Sequence, residues 1–407
     1  MKLHIGIAGP ISTESIAHLI DGNILTLPEG CGGAPFLSTL IGEFLARGHQ
    51  VSAYTTSRNL PLDLAQPIIA QGERFKIYYC PERTHSVRMN GWHLGRIIDF
   101  FRLERGYLKQ AIMMDNPDIV HAHWAYEFAL AAIGSGKPHV VTCHDAPQEV
   151  LKYMPNLYRL GRYFMAFKAM RTAKKITTVS PYMRDSLLPL ARKDIEVIPN
   201  PIPHMIAHRK FDHSRQLSLT TPVVVMVANG WGKLKNAQAG LLAFESLRTT
   251  ITGARLKLFG IDFGPGEVAH RWANDQGIAE GTEFIGKLPY KKLLEEIAQC
   301  DIFLHPSLEE SFGMVVAESM ALNVPVIGGK TSGAVPWVVG NGGVLVDVTN
   351  PIEIANTLKA ILTNRDHWQQ LRIAGSQTSK TRFAPEAVAT SYENVYRQEI
   401  ANTGLCN

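Results

Sequence analysis

The chain has 407 residues, 45% of them apolar and 19% charged, which is material for two or three buried cores and excludes a disordered or fibrous chain. Its net charge of +5 at pH 7 is too small and too diffuse to mark a nucleic-acid binder. The longest apolar runs, FALAAIG after Glu127 and VVVMVA after Pro222, fall far short of the ~20 residues that a membrane-spanning helix needs.

The first predicted element, read from MKLHIGIAGP, is a strand that stops at Pro10, too short an apolar run for the core of a signal peptide. A long loop from Pro10 to Cys31 precedes a predicted helix from Ala34 to Arg47; connections of that length in compact domains usually carry function. Short apolar runs then alternate with amphipathic stretches, as in βα units of a parallel sheet. Strands are predicted to begin at Lys2, Gln50, Lys76, Asp118, His139 and Lys175. Pro199, Pro201 and Pro203 interrupt the pattern and open a polar linker that runs through Thr221. Six further strands are expected in TPVVVMVANG, ARLKLFGI, TEFIGKL, CDIFLHPS, VPVIGGK and GGVLVDV. A last helix begins at Pro385, with Ala387, Tyr392, Val395 and Tyr396 as its apolar or aromatic residues.

The expected fold class is therefore α/β, with two Rossmann-like, doubly wound domains facing across a cleft. The first domain is residues 1–203, with the helix 385–407 packing back on it; the second is residues 204–384. Open parallel sheets bind ligands beyond the carboxyl ends of their strands, so chemistry is sought there. Cys31, Cys80, Cys143, Cys300 and Cys406 include no C-x-x-C pair, which argues against a disulfide framework or a structural zinc and fits a reducing cytoplasm.

The most informative segment is HPSLEESFGMVVAESMALNVPVIGG. Glu310 and Glu318 are separated by seven residues, with Phe312 and Gly313 beside the first and a helical run from Met314 to Leu322 carrying the second. The amides of Met314 and Val315 at that helix start form an anion site suited to a diphosphate. Glu310 is placed to accept hydrogen bonds from sugar hydroxyls, and Glu318 about two turns in, ~12 Å further along the axis. The bland alternative is a loop charge and a solvated helix face.

The stretch ESFGMVVAE followed by MALNVPVIGG resembles the E-x7-E signature of retaining glycosyltransferases of family 4, which have the two-domain GT-B fold. GHQVSAYTT, DIVHAHW, PHVVTCHD, TTVSPYMRDSL and VIPNPI resemble further regions of that family in the right order, so the likeness covers nearly the whole chain. It implies that Glu310 contacts the donor sugar and Glu318 the ribose hydroxyls. Gly32 and Gly33 would lie near the donor phosphates and the acceptor, with the long preceding loop shaping the acceptor side. The turn at Lys287 and Leu288 matches where the family's backbone reads the base.

His121 and His123 end a predicted strand, and His144 and Asp145 follow the next. Strand alternation is taken to point His121 and His123 apart, which argues against a metal site formed with His144. The resemblance implies that His123 hydrogen-bonds the donor hexose near the reacting carbon, and that His144 and Asp145 are cleft or acceptor positions. VVVMVANGWGKLKNAQ places Lys233 and Lys235 to neutralise a diphosphate. Here the sequence departs from the family: Lys235 matches its lysine, but Gly230 stands where an arginine is expected, and Lys233 cannot repeat a bidentate fork. Trp337 replaces a glutamate at a position read as structural.

Residues 151–175 carry seven basic side chains, no acidic ones, and interleaved aromatics. That composition suits either a peripheral contact with an anionic membrane surface, at the inner face, or a solvated positive face over packed rings. The expected activity is transfer of a hexosyl-type sugar from a nucleotide diphosphate sugar to a hydroxyl of a glycan or lipid-linked acceptor, in surface polysaccharide or glycolipid synthesis. Catalytic roles fall to Glu310, His123 and Lys235, with the leaving phosphate acting as base as proposed for the family. No metal, no further cofactor and no nucleic acid is expected. A nucleotide-sugar epimerase, a phosphorylase of the same fold and a non-catalytic sugar-nucleotide binder are the alternatives.

Overall fold

The computed structural model describes residues 2–403, so Cys406 and the last residues of the expected 385–407 segment lie outside the described residues. The chain divides into two compact units, Met1–Pro201 with Pro385–Asn407, and Ile202–Ala384.

The first unit is built on an eight-stranded sheet. Its strands are β1 (His4–Ala8), β2 (Gln50–Ser57), β3 (Ile68–Gly72), β4 (Phe75–Pro81), β5 (Ile119–His123), β6 (His139–Cys143), β7 (Lys175–Thr178) and β8 (Ile195–Val197). The order is β3-β4-β2-β1-β5-β6-β7-β8, all parallel except β3, which pairs antiparallel with β4 at the edge. Strands β5 and β6 are buried at every residue, as expected where helices cover both faces. The helix Pro35–Ala46 starts on a proline and buries Phe36, Leu37, Leu40, Ile41 and Phe44. The last helix, Pro385–Asn402, belongs to this unit: it buries Tyr392 and Tyr396, and Tyr396 packs its ring 5.6 Å from Phe44.

The expected 151–175 segment is two helices, Pro147–Tyr153 and Leu157–Thr172. Leu157, Leu160, Phe164 and Phe167 are exposed, whereas Met165, Ala166, Ala169 and Met170 face the core. Arg162 turns inward, 3.5 Å from the centre of the Tyr126 ring. Among the described residues no helix is long and apolar enough to cross a membrane, and Cys31, Cys80, Cys143 and Cys300 are free thiols.

The second unit has a six-stranded parallel sheet of β9 (Val223–Val227), β10 (Arg255–Phe259), β11 (Thr282–Gly286), β12 (Ile302–His305), β13 (Val326–Gly329) and β14 (Gly343–Val346). Their order is β11-β10-β9-β12-β13-β14. Leu241, Phe244, Leu256, Leu258, Ile302, Leu304, Ile327 and Trp368 are part of one core cluster. Trp368 buries its ring and donates from Nε1 to Asp301 O at 2.7 Å, which satisfies its one polar atom.

Among the parallel strands the strand order reverses once in each sheet, between β1 and β5 in the first and between β9 and β12 in the second. Such switch points open a crevice at the carboxyl ends of parallel strands. The candidate residues cluster after these strands.

Candidate active site

In the second unit, β9 runs into a loop in which Gly230 adopts φ 92°, a conformation that residues with a Cβ avoid. No atom lies within 4 Å of where a Cβ would stand on Gly230 or Gly232, so the backbone is open to a ligand. Asn236 fixes the far end of the loop, donating from Nδ2 to Pro306 O (3.1 Å) and Val348 O (2.8 Å). Lys233 is exposed and lines a cavity of about 210 Å³ with Trp231 and Asn236. Lys235 reaches across to β12's exit: its Nζ donates to Glu310 Oε1 at 2.6 Å. His305 Nε2, at the end of β12, lies 3.4 Å from the same oxygen.

The Glu310 carboxylate thus accepts a hydrogen bond from Lys235 and has the His305 ring beside it without one, and its backbone carbonyl accepts from Ala334 N at 2.9 Å. Burial pushes the Glu310 carboxyl up, but His305 and Lys235 outweigh that and bring it down to about 2. It is ionised at neutral pH. Gly313, at φ 89°, precedes the helix Met314–Ala321, and its carbonyl accepts from Val316 N and Ala317 N. The amides of Met314 and Val315 have no acceptor within the helix, which leaves a two-donor anion site at its start.

Glu318 lies one turn into that helix and Glu310 lies outside it, so the expected two-turn, ~12 Å helical rise does not apply. Glu318 is 4% exposed and accepts from Tyr290 Oη at 2.5 Å. Burial pushes its carboxyl up to about 7 despite that hydrogen bond. Tyr290 opens the helix Tyr290–Ile297 just after the exposed Lys287 and half-buried Leu288, so the second glutamate is hydrogen-bonded to the helix that follows that turn. Phe312, expected among the donor-binding residues, buries its ring 5.2 Å from Phe383 and 6.3 Å from Trp337. Trp337 is also packed, with the Arg382 guanidinium 4.4 Å above its ring.

In the first unit, Gly32 and Gly33 are exposed, Gly33 at φ 121°, with open space around both. His121 and His123 do not point apart. Residues two apart on a strand share a face, and their ring centroids are 4.0 Å from each other. The argument against a metal from alternation therefore fails, yet both His121 nitrogens are engaged, Nδ1 with Tyr396 Oη and Nε2 with Thr142 Oγ1, each at 2.6 Å. His123 Nδ1 pairs with His144 Nε2 at 2.9 Å, leaving His123 Nε2 and His144 Nδ1 buried without a hydrogen-bond partner. Burial pulls the His123 ring well below its ordinary range, with His121 and His144 adding to the effect, and pulls His144 to about 3. Both rings are neutral at pH 7. The Phe36 ring, from the helix that follows the glycine pair, stands 4.9 Å from His144. Asp145 accepts from Tyr126 Oη at 2.9 Å.

Two residues of this constellation escape the sequence reading, His305 and Tyr290. His305 ends an apolar strand and had a signal in its position; Tyr290 had none, because only the fold brings it to Glu318.

The model of the glycosyl transferases of group 1 matches residues 209–378, and that of glycosyltransferase family 4 matches residues 31–204. N-acetyl-alpha-D-glucosaminyl L-malate synthase of Bacillus anthracis is 24% identical over 388 residues, 91% of this chain and 95% of its own length. Among solved structures, sucrose-phosphate synthase from Thermosynechococcus elongatus matches with TM-score 0.73 and 16% identity over 98% of this chain and 100% of that one. Anabaena HepE, solved in complex with UDP, matches with TM-score 0.67 and 15% identity over 98% of this chain and 100% of that one. Matched in both halves, the chain belongs to the group 1 glycosyltransferases of family 4, transferases built on the GT-B fold.

Proposed function

We propose that this transferase moves a hexosyl group from a nucleoside diphosphate sugar to a hydroxyl of a glycan or lipid-linked acceptor, with retention at the anomeric carbon and without a metal ion, in surface polysaccharide or glycolipid synthesis. The observation that carries this reading is the Lys235–Glu310–His305 cluster at the β9/β12 switch point, beside an open glycine loop and a helix start with free amides.

In this mechanism the diphosphate lies over the amides of Met314 and Val315, with Lys235 and Lys233 as its counter-charges. The bond between the anomeric carbon and the diphosphate oxygen breaks, and Lys235 stabilises the charge that grows on the departing oxygen. That oxygen takes the proton of the acceptor hydroxyl, whose own oxygen bonds to the anomeric carbon on the same face. Glu310, ionised, accepts hydrogen bonds from the hexose hydroxyls, and neutral His123 orients the sugar. Glu318 and Tyr290 hold the ribose beside Lys287 and Leu288.

The solved relative with UDP makes UDP sugars the first donors to try. A panel of UDP, GDP and ADP sugars, with and without EDTA, is read by thermal shift and nucleotide release. Lys235→Ala is expected to lower kcat by ~10²–10³, the range for losing one charge-stabilising group, and proton NMR of the product to show the donor's anomeric configuration. Unchanged turnover in both Lys235→Ala and Glu310→Ala sinks the assignment; an isomerised sugar nucleotide without transfer points to an epimerase. The same proposal places a contact with an anionic membrane, at the cytoplasmic face, on the helix Leu157–Thr172, where exposed apolar side chains alternate with Arg159, Lys168 and Arg171.

A further inference from the structure

The first unit contains a pocket that none of the donor-binding residues uses. It has a volume of about 160 Å³ and lies at the carboxyl ends of β1, β2, β4 and β5, bordered by Arg58, Glu82, Arg96, Trp124, Glu127 and Arg162 among others. Its position is the switch point of the first sheet, between β1 and β5, where open sheets take ligands. Three arginines and two glutamates border it, and Asp145 lies near Arg162, so the surplus of positive charge is at the end where Arg58 and Arg96 meet.

The charges are not mixed evenly. At one end Glu82 is saturated: its Oε1 accepts from Arg58 Nε (3.1 Å) and from Arg96 Nη1, and its Oε2 from Thr56 Oγ1 (2.7 Å). Two guanidinium groups thus share one carboxylate. Arg96 is 6% exposed and its Nε has no hydrogen-bond partner. The Arg58 side chain is 59% exposed, and among the described residues its two Nη groups make no hydrogen bond. At the other end, Glu127 Oε2 is buried without a donor: Arg162 Nη1 stands 3.6 Å away, too far for a hydrogen bond, and Nη1 is instead given to Tyr158 Oη at 3.0 Å. Arg162 Nε is likewise buried and unpartnered.

Unsatisfied buried polar atoms are costly, and a cluster of them lining a cavity calls for polar partners of the kind a ligand can supply. An apolar group satisfies none of them. A neutral polyol satisfies Glu127 but leaves the surplus positive charge of Arg58 and Arg96 unanswered, and a guanidinium fork is shaped for a planar or tetrahedral oxyanion. The buried arginine is fixed in place: Arg83, beside Glu82, is held by Glu104 and Asp99 at 2.6–3.0 Å, and its carbonyl accepts from Arg96 Nη1 at 2.7 Å. The pocket is therefore preformed rather than a surface coincidence.

We infer that this pocket binds the acceptor, and that the acceptor is a small hydroxylated molecule or terminal group bearing an oxyanion, carboxylate or phosphate, with the anion at Arg58 and Arg96 and a hydroxyl given to Glu127. This rests on the transferase reading above and names the acceptor class for it. Trp124, at φ 67°, presents its ring at the same mouth, where it covers the apolar face of such a ligand.

The test measures nucleotide release by the whole enzyme with its donor and a matched panel: glycerol 3-phosphate against glycerol, glucuronate against glucose, and malate as a hydroxy acid. Charged members are expected to stimulate release at least tenfold more than their neutral partners; a phosphate or a carboxylate preference identifies the oxyanion. Arg58→Ala is expected to raise the KM of the charged acceptor at least tenfold with kcat within threefold, and Arg58→Lys to recover part of it. Because Arg58 is exposed, an unchanged melting temperature is expected and separates binding from folding. Equal use of neutral partners, an unmoved KM in Arg58→Ala, or donor hydrolysis that no panel member stimulates each overturns the inference. If no sugar nucleotide binds, the transferase donor reading fails instead; ligand-observed NMR of the same charged and neutral probes on wild type and Arg58→Ala then decides the pocket, and absence of a charge preference overturns it.

Discussion

At the scale of single residues, Glu318 shows a site residue carried at a cost to the fold. Its carboxyl titrates at an ordinary 4.5 when unfolded and about 7 when folded, so between those values the folded chain holds a proton the unfolded chain has released. Stability therefore falls as pH rises across that window, by about 3 kcal/mol as an upper bound. Glu318→Gln keeps the oxygen that accepts from Tyr290 and removes the charge. It is expected to raise the melting temperature at pH 8 by the equivalent of ~1–3 kcal/mol and hardly at all at pH 4.5, while weakening nucleotide-sugar binding if the proposed contact of Glu318 with the ribose holds. Thermal melts at the two pH values, with a donor titration, check this; equal stabilisation at both would mean that the carboxyl is not perturbed by burial. Gly230 makes a second point at this scale. The departure from arginine coincides with a φ of 92°, so the side chain is missing where the backbone conformation disfavours any side chain.

Among elements, the long strands and helices were legible because their apolar residues repeat with the right period. β9 to β14 all fall within runs picked out from the sequence, and the E-x7-E segment marked the helix Met314–Ala321. What the pattern could not supply was the other side of each contact. Tyr290 meets Glu318, and Arg58, Glu82, Arg96 and Glu127 meet one another, only through the order of strands, which no local period encodes. The short edge strand β3, IIAQG, shows no alternation that would mark it, and His121 and His123 share a face because side chains two apart on a strand point the same way. The helix Leu157–Thr172 is an element whose exposed stripe, Leu157, Leu160, Phe164 and Phe167, recurs at helical spacing, with Arg171 over the Phe167 ring. Phe164→Glu with Leu157→Glu is expected to abolish sedimentation with phosphatidylglycerol vesicles at low salt, to leave sedimentation with phosphatidylcholine at its low level, and to leave the melting temperature unchanged. Sedimentation that the double substitution does not alter would remove the membrane assignment.

For the molecule as a whole, the chain leaves the first unit at Pro201 and comes back to it at Pro385, and the return is chemically specific. Tyr396 Oη and the Thr142 hydroxyl occupy the two nitrogens of His121, Tyr392 Oη lies 3.3 Å from Thr142 Oγ1, and Glu393 accepts from His49 Nε2 at 3.0 Å and Arg47 Nη1 at 3.3 Å. The last helix thus completes the polar balance beneath β5, the strand that ends on His123. If that is its role, its loss should be felt in the first unit and not in the second. Tyr392→Ala removes a fully buried ring, a change that costs about 3–5 kcal/mol, and Tyr396→Phe leaves one His121 nitrogen buried and unpaired, about 1–3 kcal/mol. Hydrogen exchange followed by mass spectrometry on the full chain is expected to show faster exchange in peptides from β1, β5 and β6 in both variants, more in Tyr392→Ala, with β9 and β12 protected as in wild type. Uniform loss of protection in both sheets would show instead that the two units unfold as one, and that the terminal helix stabilises the chain globally rather than the floor of the histidine site.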